Sequence, residues 1–142
     1  MKISSRGRYA IDLMVDLALY DKGEPISVKD IAARQQISSK YLEQIVSMLQ
    51  KAGMLSSIRG SQGGYRLKKK PEDYSIGSIL RVTEGDLAPV TCVEEGEACC
   101  THKEMCSTVR IWQQLNSAIN DVVDNISLAD VVEWNNNSSA QL

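Results

Sequence analysis

The chain has 142 residues and a net charge of −2 at pH 7, a length that fits one domain, with or without an appended helix, rather than several domains. It contains four cysteines and no phenylalanine, so a core must be built from Leu, Ile, Val, Met and a few Tyr and Trp residues. No apolar run approaches the about 20 residues that a membrane-spanning helix needs, which excludes such a helix.

The charges are divided unevenly between the two halves of the chain. Residues 1–70 contain thirteen Lys and Arg against six Asp and Glu, a balance of +7, whereas residues 71–142 contain three against twelve, a balance of −9. A basic half favours a surface that binds a polyanion, and the alternative is a chance asymmetry between solvated faces. Residues 1–4 lead into a helix pattern without a cleavage site, so we expect a cytoplasmic protein with reduced thiols.

The first half has the pattern of a helix-turn-helix. Apolar residues recur at helical spacing through residues 5–21 and predict a first helix. A capping box, with Ser27 at the N-cap and Asp30 three residues on, opens a short second helix. Ser38 or Ser39 caps a third helix with an apolar stripe. Two short helices joined by a tight turn, the second well capped, are typical of a helix-turn-helix.

A β-hairpin is predicted directly after these helices. Residues 55–59 and 65–67 have the pattern of two strands, and the glycine-rich residues 60–64 form the turn between them. A hairpin in this place predicts a wing, and the basic residues 68–70 follow it. Ser75 then caps a helix that Gly85 ends. The predicted fold class is therefore mainly α with a small β wing, a winged helix-turn-helix plus a long dimerisation helix.

Residues 1–85 are predicted to form a DNA-binding domain. The residues after it divide into three predicted parts. Residues 86–104 are a cysteine-containing, cluster-binding loop, residues 105–134 are a dimerisation helix and a C-terminal helix, and residues 135–142 are a flexible tail. The long helix, roughly 104–125, carries apolar residues spaced three, four, three and four apart, which favours a seam between two helices of a dimer over packing on its own domain. These seam residues are Trp112, Leu115, Ile119, Val122 and Ile126.

The third helix and the hairpin turn supply the candidate DNA-binding residues. Ser, Lys and Gln side chains at the start of the helix can donate hydrogen bonds to phosphates or base edges, and Glu43 can accept from cytosine. Arg59, at the junction of strand and turn, suits the minor groove. The predicted DNA-binding residues are Ser38, Ser39, Lys40, Tyr41, Glu43, Gln44, Ser47, Arg59, Gly60, Gln62, Gly63 and Gly64.

All four cysteines, Cys92, Cys99, Cys100 and Cys106, fall within one stretch of fifteen residues. No Cys-x-x-Cys spacing occurs among them, which argues against a zinc ribbon or a thioredoxin-type pair. Spacing alone leaves open an iron–sulfur cluster, a zinc site, and free or redox-active thiols. His102, the only histidine, is either a further metal ligand or a surface residue of the loop.

Several segments of the chain resemble one protein family. They are MKIS and GRYA in residues 1–10, SKYLEQ in residues 39–44, SIRG in residues 57–60 and GGY in residues 63–65. In this order they resemble the Rrf2-type bacterial transcription regulators over nearly the whole chain. The resemblance implies a winged-helix homodimer that is braced by the long helix and binds double-stranded operator DNA.

In that family, three loop cysteines mark the iron–sulfur members, and CymR-like members lack them. The chain therefore resembles the branch of IscR and NsrR. The resemblance implies that Cys92, Cys106 and one of Cys99 and Cys100 hold an iron–sulfur cluster, of the 2Fe-2S or the 4Fe-4S type.

The chain departs from this branch at the fourth ligand. IscR has a histidine three residues after the third cysteine, and Val109 occupies that position here. Some relatives instead donate an acidic residue of the first helix across the dimer. By this resemblance Asp12 is the first candidate for the fourth ligand, and the spare cysteine is the second.

The sequence thus predicts an iron–sulfur-dependent transcription regulator, a repressor, that binds operator DNA as a homodimer. It would control iron–sulfur biogenesis or a redox or nitrosative response. The alternative is a thiol- or zinc-dependent regulator of cysteine metabolism that acts through a metabolic-enzyme partner, as CymR-like members do. No nucleophile–base pair or phosphate-binding loop occurs, so we expect no catalysis. A small redox protein is disfavoured because it would have no need of a basic wing.

Overall fold

A computed structural model of the chain describes residues 2–96 and 103–140. Cys99, Cys100 and His102, which the sequence analysis singled out, lie outside these residues. The described helices and strands are α1 (Ser5–Leu19), α2 (Val28–Gln35), α3 (Ser39–Lys51), β1 (Leu55–Ile58), β2 (Gly64–Leu67), α4 (Ile76–Glu84), α5 (Val109–Asp124) and α6 (Leu128–Ala140). None of these helices is both long enough and apolar enough to cross a membrane. The predicted fold, mainly helical with a small wing, is confirmed.

The helix-turn-helix is formed by α2 and α3, and local caps define it. The Ser27 hydroxyl accepts a hydrogen bond from the Asp30 amide at 3.1 Å, and the Ser38 hydroxyl accepts one from the Tyr41 amide at 3.2 Å. Ser38, rather than Ser39, is therefore the N-cap of α3. Between the helices Gln36 adopts the left-handed conformation, with φ of 55°, and this reverses the chain within a few residues.

The core lies between α1, α2, α3, α4 and the first residue of α6. Its largest fully buried apolar side chains are Leu13, Met14, Leu17, Ile31, Leu42, Ile45, Val46, Leu49, Ile79 and Leu128. The stripe predicted for α3 is among them. The opposite face of α3 is therefore left for solvent or a ligand.

The wing contains one more strand-like segment than the sequence predicted. β1 and β2 pair antiparallel, from Leu55 opposite Leu67 to Ile58 opposite Gly64. Ile26, just before α2, also pairs with Tyr65: each residue's amide donates to the other's carbonyl, at 2.9 and 2.8 Å. A Cβ atom on Gly64 would collide with the Ile26 backbone, so this close approach requires glycine.

The base of the wing is fixed by Tyr74, a residue to which the sequence analysis gave no role. Its side chain is buried, and its hydroxyl donates to the Met54 carbonyl at 2.8 Å. The same hydroxyl accepts from the Lys69 amide at 2.9 Å. Next to it, Ser75 pairs with Ser127 in an isolated antiparallel bridge, so the starts of α4 and α6 are joined.

The boundaries of both C-terminal helices differ from the prediction. α5 begins at Val109 instead of about residue 104, because residues 103–105 form a separate 3-10 turn. The Thr108 hydroxyl does not cap α5 and instead hydrogen-bonds the Cys106 thiol at 3.3 Å. α6 continues to Ala140, where the sequence analysis placed a flexible tail from residue 135. No Gly or Pro follows Trp134, so nothing in the sequence stops the propagating helix.

The apolar residues of α5 form two stripes rather than the single predicted seam. Ile119 is half-buried and packs against the core, as does Ile126 just beyond the helix. Leu115 and Val122, however, are 38% and 58% exposed. They continue a row that starts at Ile111, also exposed, with the spacing four, three and four through Ala118. The predicted seam therefore mixed an inward-facing stripe with an outward-facing one.

Candidate nucleic-acid interface and cysteine segment

The start of α3 presents polar side chains to solvent on the side opposite its buried stripe. Six of the seven residues predicted on this helix to contact DNA are exposed. They are Ser38, Ser39, Lys40, Glu43, Gln44 and Ser47. Ser38 is committed to its capping hydrogen bond, so the remaining five are free to reach a base edge or a phosphate through their side chains.

Tyr41 does not share this exposure, although its contact with DNA stays a prediction. The residue is half-buried and packs against the core. Its ring meets the ring of Tyr9 edge-on, with the centroids 5.9 Å apart and the planes at 87°. Tyr41 is four residues before the buried Ile45, so it lies at the edge of the buried stripe. Its ring links the start of α3 to α1, with only part of its surface open to solvent.

The tip of the wing is exposed and lies beside the end of α3. Arg59, Gly60 and Gln62 are exposed, whereas Gly63 and Gly64 are half-buried. Gly60 has φ of 116°, in the region that favours glycine, and this shapes the turn. Gln50 of α3 donates from Nε2 to the Ser57 hydroxyl of β1 at 2.8 Å. This contact, which the sequence analysis missed, connects α3 to the wing.

The lysines at residues 68–70 lie at the base of the wing, not at its tip. They follow Leu67, which pairs with Leu55 at the end of the hairpin farthest from Arg59. All three lysines are exposed, and they line a cleft with Asp21 and Arg66, which form an ion pair at 3.1 Å. Any contact they make with a phosphate backbone is therefore separated from that of Arg59 by the length of the hairpin.

The orientation of the helix-turn-helix depends on a buried carboxylate. Asp16 of α1 is 1% exposed and accepts two hydrogen bonds from Arg34 of α2, from Nη2 at 2.7 Å and from Nε at 2.9 Å. Gln35 donates a third at 3.2 Å. The hydrogen bond to Asp16 raises the pKa of Arg34, and the guanidinium also stacks over the Tyr20 ring at 4.1 Å. These contacts fix the end of α2, next to the turn that leads into α3.

The two described cysteines both precede α5 in sequence, and both are partly exposed free thiols. Cys92 lies in a 3-10 turn, Thr91–Val93, that packs on α5. Cys106 lies three residues before α5 begins, and hydrogen bonds to its sulfur from the Thr108 hydroxyl and from nearby backbone amides lower its pKa. A lowered pKa increases the thiolate fraction, and the thiolate is the form that binds a metal. Cys106 is thus suited in donor chemistry to a soft metal.

Asp12, the candidate fourth ligand, is in the middle of α1. The residue is exposed in the single chain, yet partial loss of hydration raises the pKa of its carboxyl, and the charge of Arg8 opposes this effect. Helix α1 packs chiefly on α4 and α6, whereas the turn that holds Cys92 packs on α5. The described residues contain no group of three His, Cys, Asp or Glu side chains arranged to hold a metal ion.

Comparisons with known proteins agree on the kind of protein to which the chain is similar. Residues 3–134 match the model of a family described as "Rrf2: Iron-dependent Transcriptional regulator". The chain is 38% identical over 135 residues to the HTH-type transcriptional regulator IscR of Vibrio campbellii. That alignment covers 95% of this chain and 79% of the relative.

Two solved structures are similar over nearly the whole chain. CymR (YrzC), the global cysteine regulator of B. subtilis, matches with a TM-score of 0.77 and 36% identity, over 94% of this chain and 98% of that one. IscR of T. potens matches with a TM-score of 0.76 and 36% identity, over 100% of this chain and 92% of that one. The chain resembles CymR and IscR equally well in fold, so the fold alone does not indicate which of the two regulators it resembles in function.

Proposed function

Because the chain belongs to the Rrf2 family of transcriptional regulators, as its sequence segments predicted, we propose that it binds operator DNA as a homodimer under the control of an iron–sulfur cluster. The family consists of regulators, and the chain is accordingly a transcription regulator and not an enzyme. The observation that carries the DNA-binding part of the proposal is the exposed polar face at the start of α3, held beside a glycine-rich wing by the hydrogen bond from Gln50 to Ser57.

In this proposal α3 enters the major groove and the wing tip reaches the adjacent minor groove. Lys40, Glu43, Gln44 and Ser47 are the side chains available for base edges and phosphates. Arg59 is placed for the minor groove, where a narrow width deepens the negative potential. The lysines at the base of the wing contact phosphates and give affinity rather than sequence preference.

Thiolates of the cysteine loop would hold the cluster. Cys92 and Cys106 fit such a site in donor chemistry, since both are free, partly exposed thiols and Cys106 has a lowered pKa. One of Cys99 and Cys100 would be the third ligand. When bound, an iron–sulfur cluster supplies a group whose gain or loss follows iron supply, oxidants or nitric oxide. Asp12 is on α1, which packs chiefly on α4 and α6, whereas the turn that holds Cys92 packs on α5. In this proposal Asp12 would therefore bind the cluster of the second chain of a dimer.

A second candidate function follows from the equal similarity to CymR. In it, the same cysteines act as redox-active thiols or bind zinc, and the regulator controls cysteine metabolism with a metabolic-enzyme partner. Metal content separates the two functions. Protein purified without oxygen that contains iron and inorganic sulfide supports the cluster, whereas colourless protein with one zinc per chain supports the second candidate.

Replacing Arg59 by Ala is expected to weaken binding to a specific operator by about 1–3 kcal/mol if Arg59 reads a groove. The operator can be obtained by selection from a random DNA library with the wild-type protein. Lys69→Ala is the matched control: it should lower affinity for all sequences alike and reduce the salt dependence by about one counterion. Arg59→Ala protein that folds and binds the selected operator as tightly as wild type would remove Arg59 from the interface.

Replacing Leu115 by Asp is expected to convert the protein to monomers at micromolar concentration. A buried Leu contributes roughly 1.5–3 kcal/mol, and two-fold symmetry places two such residues in one interface. Leu115 and Val122 are exposed in the single chain, so their substitution tests association, whereas Ile119→Asp would also disturb the core. Sedimentation velocity measures the outcome, with Ser117→Asp on the same helix as control. A monomeric wild type, or a Leu115→Asp protein that remains dimeric, contradicts the proposal.

A further inference from the structure

Residues 88–95, here named the Cys92 segment, are closed into a loop by one carboxylate. Asp86, just before the segment, accepts a hydrogen bond from the Ala88 amide on Oδ1 at 2.7 Å. Its Oδ2 accepts one from the Glu95 amide at 3.0 Å. The two oxygens of one side chain therefore join the two ends of the segment, with Cys92 between them.

A second side chain attaches the segment to α5. Asn116 donates from Nδ2 to the Val93 carbonyl at 3.3 Å, and Val93 is the residue after Cys92. On the other side, Leu87 is buried in the core. The segment is thus connected to the helix that would form the dimer and to the core of the DNA-binding domain.

A polar cleft lies beneath these contacts, between the end of α4, the Cys92 segment and α5. Arg81 lines it together with Asp86, Glu95 and Asn116. Arg81 donates to the Asp124 carboxylate at 2.6 and 3.0 Å and to the Asn120 side-chain oxygen at 2.9 Å. The hydrogen bond to Asp124 raises the pKa of Arg81 most, and the negative charges of Glu95 and Asp86 raise it further. The Arg81 side chain therefore shares the cleft with Asp86 and Glu95, the two residues whose hydrogen bond closes the segment.

We propose that Asp86 and Asn116 are positioning residues that dock the Cys92 segment on α5 and so place the Cys92 thiol for cofactor binding. Neither residue need touch the cofactor. Metal-site ligands are commonly oriented by such outer hydrogen bonds, and removal of these bonds weakens metal retention. The inference rests on the proposed function for the identity of the cofactor, whereas the docking itself is testable without any cofactor.

The first test uses the cofactor-free, reduced protein and measures the rate at which iodoacetamide alkylates Cys92. Asp86→Ala should raise this rate by roughly five- to tenfold, because loss of docking lets the segment open locally. Asn116→Ala should raise it less, since it removes one long hydrogen bond, and Asp86→Asn should be intermediate because it keeps one acceptor. Cleavage after glutamate separates Cys92 from the other cysteines, and mass spectrometry quantifies each fragment.

The controls distinguish docking from charge and from unfolding. Glu94→Ala removes a negative charge from the same segment without removing the hydrogen bonds of Asp86 or Asn116, so Cys92 should react as in wild type. Cys106 should also keep its rate in every variant, because its hydrogen bond to Thr108 is separate. If Asp86→Ala and Asn116→Ala both alkylate at the wild-type rate, the proposal is overturned.

The second test measures iron release to a chelator after anaerobic reconstitution. Asp86→Ala and Asn116→Ala should release iron several-fold faster than wild type, and Glu94→Ala should not. Faster alkylation with unchanged iron release overturns the positioning role. If the wild type takes up no iron while the alkylation rates rise as expected, the proposed function fails and the docking role of both residues is supported.

Discussion

Asp16→Ala protein is expected to lose about 1–3 kcal/mol of unfolding free energy, the range for a buried group whose hydrogen bonds are lost, because Arg34 is 31% exposed and stays hydrated without its partner. The substitution leaves the guanidinium of Arg34 without the carboxylate that accepts two of its hydrogen bonds, and it removes the acceptor for Gln35. It also leaves a cavity in a core position, because Asp16 is 1% exposed. Equilibrium unfolding in urea, analysed by linear extrapolation, measures the loss.

Asp21→Ala is the matched control for this experiment. Asp21 follows α1 and pairs with Arg66 at 3.1 Å, yet both side chains are well exposed. Exposed pairs of this kind contribute about 0–1 kcal/mol, so the control should unfold almost as wild type does. Equal losses for the two variants, or a loss below about 1 kcal/mol for Asp16→Ala, would show that the pair of Asp16 and Arg34 does not hold α2 on α1.

Cys92→Ala and Cys106→Ala are each expected to abolish stable iron binding after anaerobic reconstitution. Removing one of three protein thiolates would leave at least two positions of a cluster without a strong ligand, and oxygen donors bind iron more weakly than thiolate. Iron analysis and visible absorbance measure the loss. Ser107→Ala, next to Cys106, is the control and should retain iron. A Cys92→Ala protein that keeps its full iron content contradicts the cluster hypothesis.

The same measurement on further variants assigns the remaining ligands. If only one of Cys99→Ala and Cys100→Ala loses iron, that residue is the third ligand. If both lose it, the spare cysteine is the fourth ligand and the Asp12 hypothesis is wrong. Asp12→Ala should otherwise weaken iron retention only in the dimer, because Asp12 would be donated by the second chain. Combining it with Leu115→Asp tests this dependence.

Local chemistry made much of the DNA-binding half predictable. Ser27, Ser38 and Ser75 all cap helices as expected, because an N-cap depends on a hydroxyl and on amides two or three residues away. The hairpin was also predictable from local chemistry, because the conformation of its turn at Gly60 favours glycine. Even Tyr41, placed wrongly on the exposed face, lies only at the border of a stripe that was identified correctly.

The contacts that the sequence did not reveal join residues far apart in the chain. Asp16 is one of two acids in α1, and its burial depends on Arg34, eighteen residues later. The hydroxyl of Tyr74 bonds to Met54, twenty residues earlier. In α5, two overlapping stripes both fit a spacing of three and four, so only packing against α4 could show that Ile119 faces inward and Val122 outward.

The pairing of Ile26 with Tyr65 makes the wing part of the helix-turn-helix rather than an appendage to it. An isolated two-stranded hairpin is at best marginally stable in water. Here the Tyr65 amide is held by the strand that leads directly into α2, so its hydrogen should exchange with solvent only when the helices also open. A wing that binds DNA as proposed is therefore ordered before it binds, and little of the binding free energy is lost to conformational entropy.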